Sequence, residues 1–299
     1  MNTKLQSIEK KRKEIYLKRN KNLLYAILFL IATVIMFVLG TQLEVTFLFI
    51  LGVVLAIGAF IFFGKVNSNQ VTFKKIIKKE LIHTLLQEEF DDVVYEPKNK
   101  IDMVRINDVG MVRKPDRYYG EDYIKGNYKG VGFEVSDVDL KQRVERRDRN
   151  GHVHVSYETY FKGRWYIYTF KKVFKEVLKV VEGRGSYANK RGLEKLDTES
   201  IAFNKKFTIL ATSKKFGFYI INSRMIEKLL ELEKLHRGSI LYCIKNNELH
   251  VGVNDRKNYM EFKLNTPINE DTLKVFMSDI ELIPAIINEF NLDSTKFNT

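Results

Sequence analysis

Two uncharged apolar runs lie within the first 63 residues, and they constrain the fold more than any other feature of the sequence. The first run covers residues 23–39 and the second covers residues 45–63, with only residues 40–44 between them. A helix needs about 20 apolar residues to cross a hydrocarbon core of ~30 Å, and about 17 residues is near the lower limit. Lipid offers no partner for backbone polar groups, so two runs with so short a connection predict a transmembrane helical hairpin.

Two other interpretations of these runs fit less well. Core helices of soluble domains normally keep a polar face, and neither run has one. A cleaved signal peptide would explain the basic start, but no A-x-A-like site follows Leu39 and a second apolar run comes at once. The sequence therefore favours a hairpin that stays attached to the chain.

The charges beside the two runs predict the orientation of the hairpin. Eight lysines or arginines and two glutamates precede the first run, whereas the connection carries only Glu44. Lysines also follow the second run, at positions 65, 74, 75, 78 and 79. Because lysine and arginine are retained on the cytoplasmic side, both termini are predicted to be cytoplasmic. The predicted location is the cell membrane, crossed twice.

The composition shifts divide the chain into four predicted parts. They are a basic N-terminal helix (1–22), the transmembrane hairpin (23–64), an amphipathic stalk helix (65–92) and a cytoplasmic α+β domain (93–299). Apolar residues of the stalk recur at helical spacing from Val71 to Phe90, and the stalk is expected to lie at the lipid surface or to pack on the domain. Its basic cluster is Lys74, Lys75, Lys78 and Lys79, and each such residue near anionic lipid contributes about 1 kcal/mol. The same lysines also help to set the topology.

Turn residues and alternation predict a mainly antiparallel sheet in the remaining chain. A long hairpin is predicted from residues 133–146 and 153–161 around Asn150-Gly151, a pair that favours tight turns. Further strands are predicted at 165–170, 174–181, 207–212, 216–221 and 259–264, with a second hairpin at 240–254. Helices are predicted at 224–235, capped by Asn222 or Ser223, and at 271–290, interrupted near Pro284. Strands and helices come in blocks, which is typical of the α+β class.

The tip of the long hairpin is strongly basic. Lys141, Arg143, Arg146, Arg147 and Arg149 are accompanied only by Glu145 and Asp148. A projecting basic arm suits anionic lipid, an acidic partner or a phosphorylated ligand. It also suits a charged edge that prevents strand-to-strand aggregation. With the four stalk lysines, Arg143, Arg146, Arg147 and Arg149 form the predicted lipid- or partner-binding set.

Several short stretches, taken in order, resemble a bacterial family known as domain of unknown function number 3137. They are 120–123 with Gly126, 133–136, 161–163, 203–211, 218–221 and the helix from Met225 to Leu235. The resemblance spans roughly residues 70–295. It implies a bacterial inner-membrane protein with a cytoplasmic domain, and it brings no established activity or catalytic residue.

Motifs of catalysis and cofactor binding are missing from the sequence, so no catalytic residue or cofactor is predicted. There is no P-loop, no G-x-S-x-G elbow and no H-E-x-x-H. His152 and His154 have metal-ligand spacing but belong to a hairpin tip, where solvated residues are expected. Cys243 lies inside a predicted strand, which favours an inert buried thiol, and a lone cysteine excludes an intramolecular disulfide.

Two hypotheses of function follow from different classes of protein. The first is a membrane-anchored interaction or scaffold module, whose partners would be the bilayer, anionic headgroups, another membrane protein or a second copy of the chain. The alternative is a metal-dependent enzyme acting on phosphate- or lipid-linked substrates, which requires Glu121, Asp122, Asp137 and Asp139 to converge. Nucleic acid is disfavoured, because no binding motif accompanies the formal charge of +13. A transporter subunit would need oligomerisation, because the two runs carry no intramembrane charge.

Overall fold

The computed structural model describes residues 2–183, 188–235 and 238–298. It confirms the α+β class, with two long apolar helices at the N-terminus and an antiparallel sheet flanked by helices. The chain forms two compact units. The helical unit comprises Met1–Leu85 and Glu261–Phe276, and the sheet unit comprises Leu86–Met260 and Met277–Thr299.

The N-terminal helices are long and continuous. Helix α1 runs without a break through the basic segment and the first apolar run, and α2 contains the second. A π-helical stretch, Ile77–Ile82, separates α2 from α3. The bounds are α1 Asn2–Leu43, α2 Thr46–Ile76 and α3 His83–Glu89.

Glycine and phenylalanine residues form the contact between α1 and α2. A Cβ atom on Gly58 would lie 2.7 Å from the ring of Phe29, so that helix surface accepts the ring only because it has no side chain. The rings of Phe37 and Phe49 lie 6.0 Å apart nearer the loop. Close approach at small residues is typical of helix pairs in membranes. Both helices have the length and hydropathy of membrane spans, and only 17% and 11% of their most apolar windows are buried.

A C-terminal segment completes the helical unit through polar contacts. The Arg12 guanidinium donates to the Leu264 carbonyl at 2.7 Å and to Glu9 at 2.7 Å. The Glu9 carboxylate also accepts from the Ile268 backbone N–H at 2.9 Å. Because Arg12 is only 5% exposed, this contact is an interior one. The segment 261–276 is thereby held to the N-terminal helix.

Within the described residues of the sheet unit, seven antiparallel strands form one sheet. The strand order is β1-β2-β3-β4-β6-β5, and β7 also pairs with β4. The bounds are β1 Asp91–Glu96, β2 Arg117–Tyr128, β3 Val131–Arg147, β4 Val153–Glu182, β5 Glu194–Leu196, β6 Phe207–Ala211 and β7 Ser239–Asn254. The helices that flank this sheet are α4 Met103–Asp108, α5 Ile201–Lys206, α6 Lys214–Ile220, α7 Ser223–Leu235, α8 Glu270–Phe290 and α9 Thr295–Asn298.

Strand β4 is the centre of the sheet because it changes partner along its length. Its first part pairs with β3 up to Thr169, and its last part pairs with β6 from Leu178. Strand β7 follows β4 along its other edge from Arg164. Gly163 lies where these strands meet, with φ +153°, and a Cβ atom there would lie 2.0 Å from the Val253 carbonyl oxygen. Only glycine allows this close backbone approach.

The sheet is buried on both faces in its central part. Trp165 and Ile167 point into one apolar cluster, which includes Ile106 of α4 and Cys243 of β7. Tyr166 and Tyr168 lie on the other face and stack with ring centroids 6.2 Å apart. The Tyr168 hydroxyl donates to the Ile283 carbonyl at 3.1 Å, which ties this face to α8.

Two strand predictions are wrong because side-chain hydrogen bonds take the place of a ladder. Residues 214–220 form helix α6 rather than a strand, and the Ser213 hydroxyl accepts from the Phe216 N–H at 3.2 Å as its N-cap. Residues 259–264 are not a strand. There the Tyr259 N–H donates to Asp137 at 2.8 Å.

The sequence also predicts a break in a strand segment and a break in a helix, and both predictions are wrong. The second hairpin is one continuous strand, β7, in which Asn246 takes φ +54° at an irregularity opposite Phe174 instead of making a turn. Helix α8 continues through Pro284, because Ile280, Ile283 and Ile287 hold it by burial. The long hairpin and helix α7, capped by Asn222, are confirmed.

Candidate functional site

The far end of the β3–β4 hairpin forms a two-stranded ribbon. We define the basic ribbon as residues 142–158, in which Gln142 pairs with Glu158 and Arg147 pairs with Val153. Within the described residues, neither strand has a second strand beside it along this length. The Asp148 carboxylate closes the turn by accepting from the backbone N–H groups of Asn150 and His152, each at 2.9 Å. The turn around Gly151 is the one the sequence predicts.

The two faces of the basic ribbon differ in chemistry. On one face Arg143, Glu145 and Arg147 stand opposite Tyr157, Val155 and Val153. Val153 is 48% exposed and Val155 is 46% exposed, so aliphatic and cationic groups are presented together. On the other face Arg146 bonds to Glu158 at 2.5 Å, next to His154.

The four predicted arginines are all placed on this ribbon, but they are not equivalent. Arg143 forms an ion pair with Glu145, and Arg146 with Glu158. Arg147 and Arg149 are exposed and have no ion-pair partner within the part of the chain that the structure describes. These two residues therefore hold the ribbon's available charge.

The four predicted stalk lysines lie at the junction of α2 and the π-helical stretch. Lys74 pairs with Glu261 at 2.9 Å, and Lys75 and Lys79 are exposed. Lys78 is partly buried and engaged. The apolar residues between them, Phe73, Ile77 and Leu81, are buried, so this face is packed into the protein and is not offered to lipid.

Three of the four candidate metal-binding carboxylates line one open pocket of about 410 Å³. Glu121, Asp137 and Asp139 share it with Lys98, Lys162 and Lys257. The fourth, Asp122, is buried elsewhere and accepts from the Tyr95 hydroxyl at 2.5 Å. Among the described residues, no three acidic, histidine or cysteine side chains are grouped so that they could hold a metal ion.

The pocket carboxylates are engaged by protein groups. Asp137 accepts from the Arg164 guanidinium at 2.9 Å, and Asp139 accepts from the Thr159 hydroxyl at 2.8 Å. Arg164 is fully buried; burial alone would lower its pKa, but the Asp137 charge raises that pKa above its ordinary value. The geometry at this pocket favours structural ion pairing.

The remaining candidate residues are two histidines that contact a carboxylate and one buried cysteine. His152 and His154 lie 3.4 Å and 3.2 Å from the Asp148 carboxylate at the exposed ribbon tip. Cys243 is 1% exposed, and burial raises the pKa of its thiol to about 12, far from the range of a reactive thiolate.

A polar network inside the sheet unit was missed by sequence reasoning. The Trp165 indole N–H donates to His250 Nδ1 at 3.3 Å, and His250 Nε2 lies 2.9 Å from the Glu248 carboxylate. Arg105 joins this carboxylate to Glu134, with both distances at 2.7 Å. The hydrogen bond from His250 is the main cause that holds the pKa of Glu248 below its ordinary value.

The spacing of the network explains why it was missed. Glu248 and His250 lie two apart on one strand face, which the sequence can show. Arg105 comes from a short helix far away in the chain, and the strand register that brings Glu134 beside it cannot be read from spacing.

These features define a class of protein: an α+β chain with two apolar N-terminal helices and a sheet unit that projects a basic ribbon. A family model described as "Protein of unknown function (DUF3137)" matches residues 159–292, and this match supports assignment of the chain to that family. The resemblance drawn from the sequence is thus confirmed over this stretch.

One solved structure matches this chain distantly. The crystal structure of the mycobacterial trehalose monomycolate transport factor A, TtfA, matches with 10% sequence identity and a TM-score of 0.36, covering 66% of this chain and 88% of that chain. None of the curated proteins compared matches this chain.

Proposed function

We propose that this protein is a membrane-anchored interaction module whose basic ribbon docks on an acidic protein partner at the cytoplasmic face of the membrane. The basic ribbon is the observation that carries the proposal. It combines exposed arginines with exposed valines on one face, and arginine is enriched at the core of protein interfaces. Among the four stalk lysines, the exposed Lys75 and Lys79 stay part of the proposal as positive charge available to anionic lipid.

The exposed surface of α1 and α2 supports the anchor. Large apolar side chains point outward on all sides of the hairpin, among them Leu28, Ile31, Val54, Ile57 and Phe60, which is 80% exposed. A soluble protein rarely exposes a continuous apolar surface of this extent. The hydrocarbon core of a bilayer would remove this surface from water.

A protein partner suits the ribbon better than lipid does. An isolated two-stranded ribbon is marginally stable in water, so further contacts on Val153 and Val155 would stabilise it. The ion pairs at Arg143 and Arg146 leave Arg147 and Arg149 to meet acidic groups. A charged edge that only prevents aggregation would need no exposed valines.

Site-specific crosslinking in native membranes tests the ribbon. A photoreactive amino acid at Val153 is expected to give a discrete protein adduct, and the same probe at Ile201, which is 72% exposed, serves as the positional control. The double variant Arg147→Glu/Arg149→Glu is expected to abolish the adduct. The variant Lys214→Glu/Lys215→Glu makes the same charge change on the same unit and is expected to keep it. An adduct that survives the ribbon variant, or one formed only with phospholipid, would contradict the proposal.

Cysteine labelling tests the orientation of the anchor. Because Cys243 is buried, the native chain has a low labelling background. In spheroplasts, a membrane-impermeant thiol reagent is expected to label Gln42→Cys in the connection and to leave Lys10→Cys unlabelled until lysis. The reverse pattern would place the sheet unit outside the cell.

A further inference from the structure

A polar pocket lies in the helical unit near the base of the apolar hairpin. Its volume is about 330 Å³, at the lower end for small-molecule sites. It is an open pocket whose walls are contributed by α1, by α2 and by the segment that begins at Glu261. The lining residues are Arg19, Gln70, Phe73, Lys74 and residues 261–265.

Three hydrogen-bond donors on α1 and α2 lack acceptors: one on the lining residue Arg19, one on Asn22 a turn further along α1, and one on Asn69, which precedes the lining residue Gln70. Arg19 Nε, Asn22 Nδ2 and Asn69 Nδ2 are buried and find no hydrogen-bond partner in the described residues. A buried donor without a partner costs free energy, so each such group in a native structure points to something that completes it. All three atoms donate, which means that the missing group is an acceptor.

The axial positions of Arg19 and Asn22 fall within the headgroup layer of a bilayer, and Asn69 lies at its outer edge. Asn22 directly precedes the first apolar run, and Arg19 lies about 6 Å outside Leu23, the first residue of that run, at the helical rise of about 1.5 Å per residue. Asn69 lies about 9 Å beyond the end of the second run at Phe63 by the same rise. Headgroups occupy roughly 5–8 Å on each side of the hydrocarbon core.

The charge and the lining of the pocket indicate which acceptor fits. Lys74 is paired with Glu261, whereas Arg19 and Lys263 have no ion-pair partner among the described residues. Phosphate is the acceptor that an arginine with neighbouring amides binds well. Phe73 and Leu264 are buried lining residues, and they offer an apolar surface next to these donors.

We propose that this pocket binds the phosphate of an anionic glycerophospholipid, with the lining residue Arg19 as the main contact, the lining residue Lys263 beside it, and Asn69, which precedes the lining residue Gln70, as a further donor. The inference rests on the proposed membrane anchoring and names a ligand class for the base of the anchor. Free phosphate has the same chemistry, but the position of Arg19 at the level of the headgroups and the apolar lining of the pocket favour a lipid.

Lipid retention by the full chain in detergent micelles tests the pocket. Native mass spectrometry would count bound molecules after the micelles are supplied with phosphatidylglycerol, with diacylglycerol of the same chains, or with inorganic phosphate. The wild type is expected to retain phosphatidylglycerol and neither of the other probes. Arg19→Gln is expected to weaken retention roughly tenfold or more, and Asn69→Ala by less, because charged hydrogen bonds are the stronger ones.

Matched controls come from neighbouring exposed residues. Lys18→Gln removes the same charge at the same level of α1, and Asn67→Ala removes the same amide from α2, so both are expected to retain phosphatidylglycerol as the wild type does. Equal loss in Arg19→Gln and Lys18→Gln would overturn the pocket and leave only a general charge effect. Equal retention of inorganic phosphate would overturn the lipid as the ligand.

Failure here is distinguishable from failure of the proposed function. Arg19→Gln is expected to stay in the membrane fraction and to keep the Val153 crosslink. If it did both while retaining phosphatidylglycerol fully, the pocket would be rejected and the interaction module would stand.

Discussion

The two units treat buried polar groups differently. In the sheet unit, Trp165, His250, Glu248 and Arg105 form a connected network, and the unpartnered buried atoms include an acceptor on Asn107 as well as a donor on Arg164. In the helical unit, the unpartnered atoms among the described residues are all donors. A mixture of donors and acceptors is what packing leaves behind, whereas donors alone indicate an external acceptor. Removing a polar group should therefore destabilise the sheet unit and leave the stability of the lipid-free helical unit nearly unchanged.

The largest effect is expected at the buried ion pair of the sheet unit. Arg164→Met leaves Asp137 without its cation in a site where Arg164 has no exposure, and loss of one partner of a buried pair costs about 3–5 kcal/mol. Trp165 is the chain's one tryptophan and neighbours this pair, so its fluorescence during denaturation reports the sheet unit.

Two further variants separate burial from charge at this pair. Lys141→Met removes the partner of Asp139, 3.6 Å away at a partly exposed site, and is expected to cost less than about 1 kcal/mol. The double variant Arg164→Met/Asp137→Leu is expected to regain most of the lost stability. If Arg164→Met were as mild as Lys141→Met, the interior of the sheet unit would not depend on its polar pairing.

A smaller loss is expected within the network. His250→Leu removes the acceptor of the Trp165 indole and the partner of Glu248, which leaves buried groups unsatisfied and costs about 1–3 kcal/mol. The midpoint of denaturation followed by Trp165 fluorescence measures it. His154→Leu at the exposed ribbon tip is the matched control and is expected to leave that midpoint unchanged. Equal midpoints for both variants would show that the network is not stabilising.

The pH dependence of the network has a definite sign. The folded-state pKa of Glu248 is lowered from 4.5, so its contribution is complete above that value and is lost as pH falls through the folded-state pKa. Glu248→Gln is expected to cost about 1 kcal/mol at neutral pH, because the amide still accepts from Arg105. The difference from wild type should shrink below about pH 4.5. A difference that grew on acidification would contradict this assignment.

The parts of the fold that local chemistry determines could be predicted from the sequence. The Asn150-Gly151 pair and the alternation after it place the long hairpin, and Asn222 places the start of α7. Residues 216–221 were misjudged because their aromatic and β-branched side chains favour a strand, while the cap that starts α6 is a single hydroxyl at Ser213. In this segment, helix capping and burial outweigh the intrinsic preference of the residues for a strand.

The candidate sites also divide into one that the local sequence predicts and one that only the packed structure reveals. The charge of the basic ribbon is visible in the sequence because its arginines are close together, and their binding role stays a prediction. The pocket at the base of the helices was not visible, because residues 261–265 come from the far end of the chain. The observation that supports this pocket is a buried donor without an acceptor, and such a donor can be identified only in the packed structure.

The smallest effect is expected at the open donors of the helical unit. Asn69→Ala, measured in phospholipid-free detergent by the thermal loss of helical circular dichroism, removes a buried amide that has no partner. The change in stability should stay within about 0.5 kcal/mol of zero, in contrast to His250→Leu, because no hydrogen bond is broken.

Repeating the measurement with added phosphatidylglycerol tests whether the two units differ in how their buried polar groups are satisfied. A ligand that binds the native state stabilises it, and a tighter ligand stabilises it more. The lipid should therefore raise the thermal stability of the wild type more than that of Asn69→Ala. It should raise the stability of Asn67→Ala as much as that of the wild type. A large loss of stability in Asn69→Ala without lipid would mean that the Asn69 amide has a hydrogen-bond partner inside the protein. The helical unit would then satisfy its polar groups as the sheet unit does, and the difference between the two units would vanish.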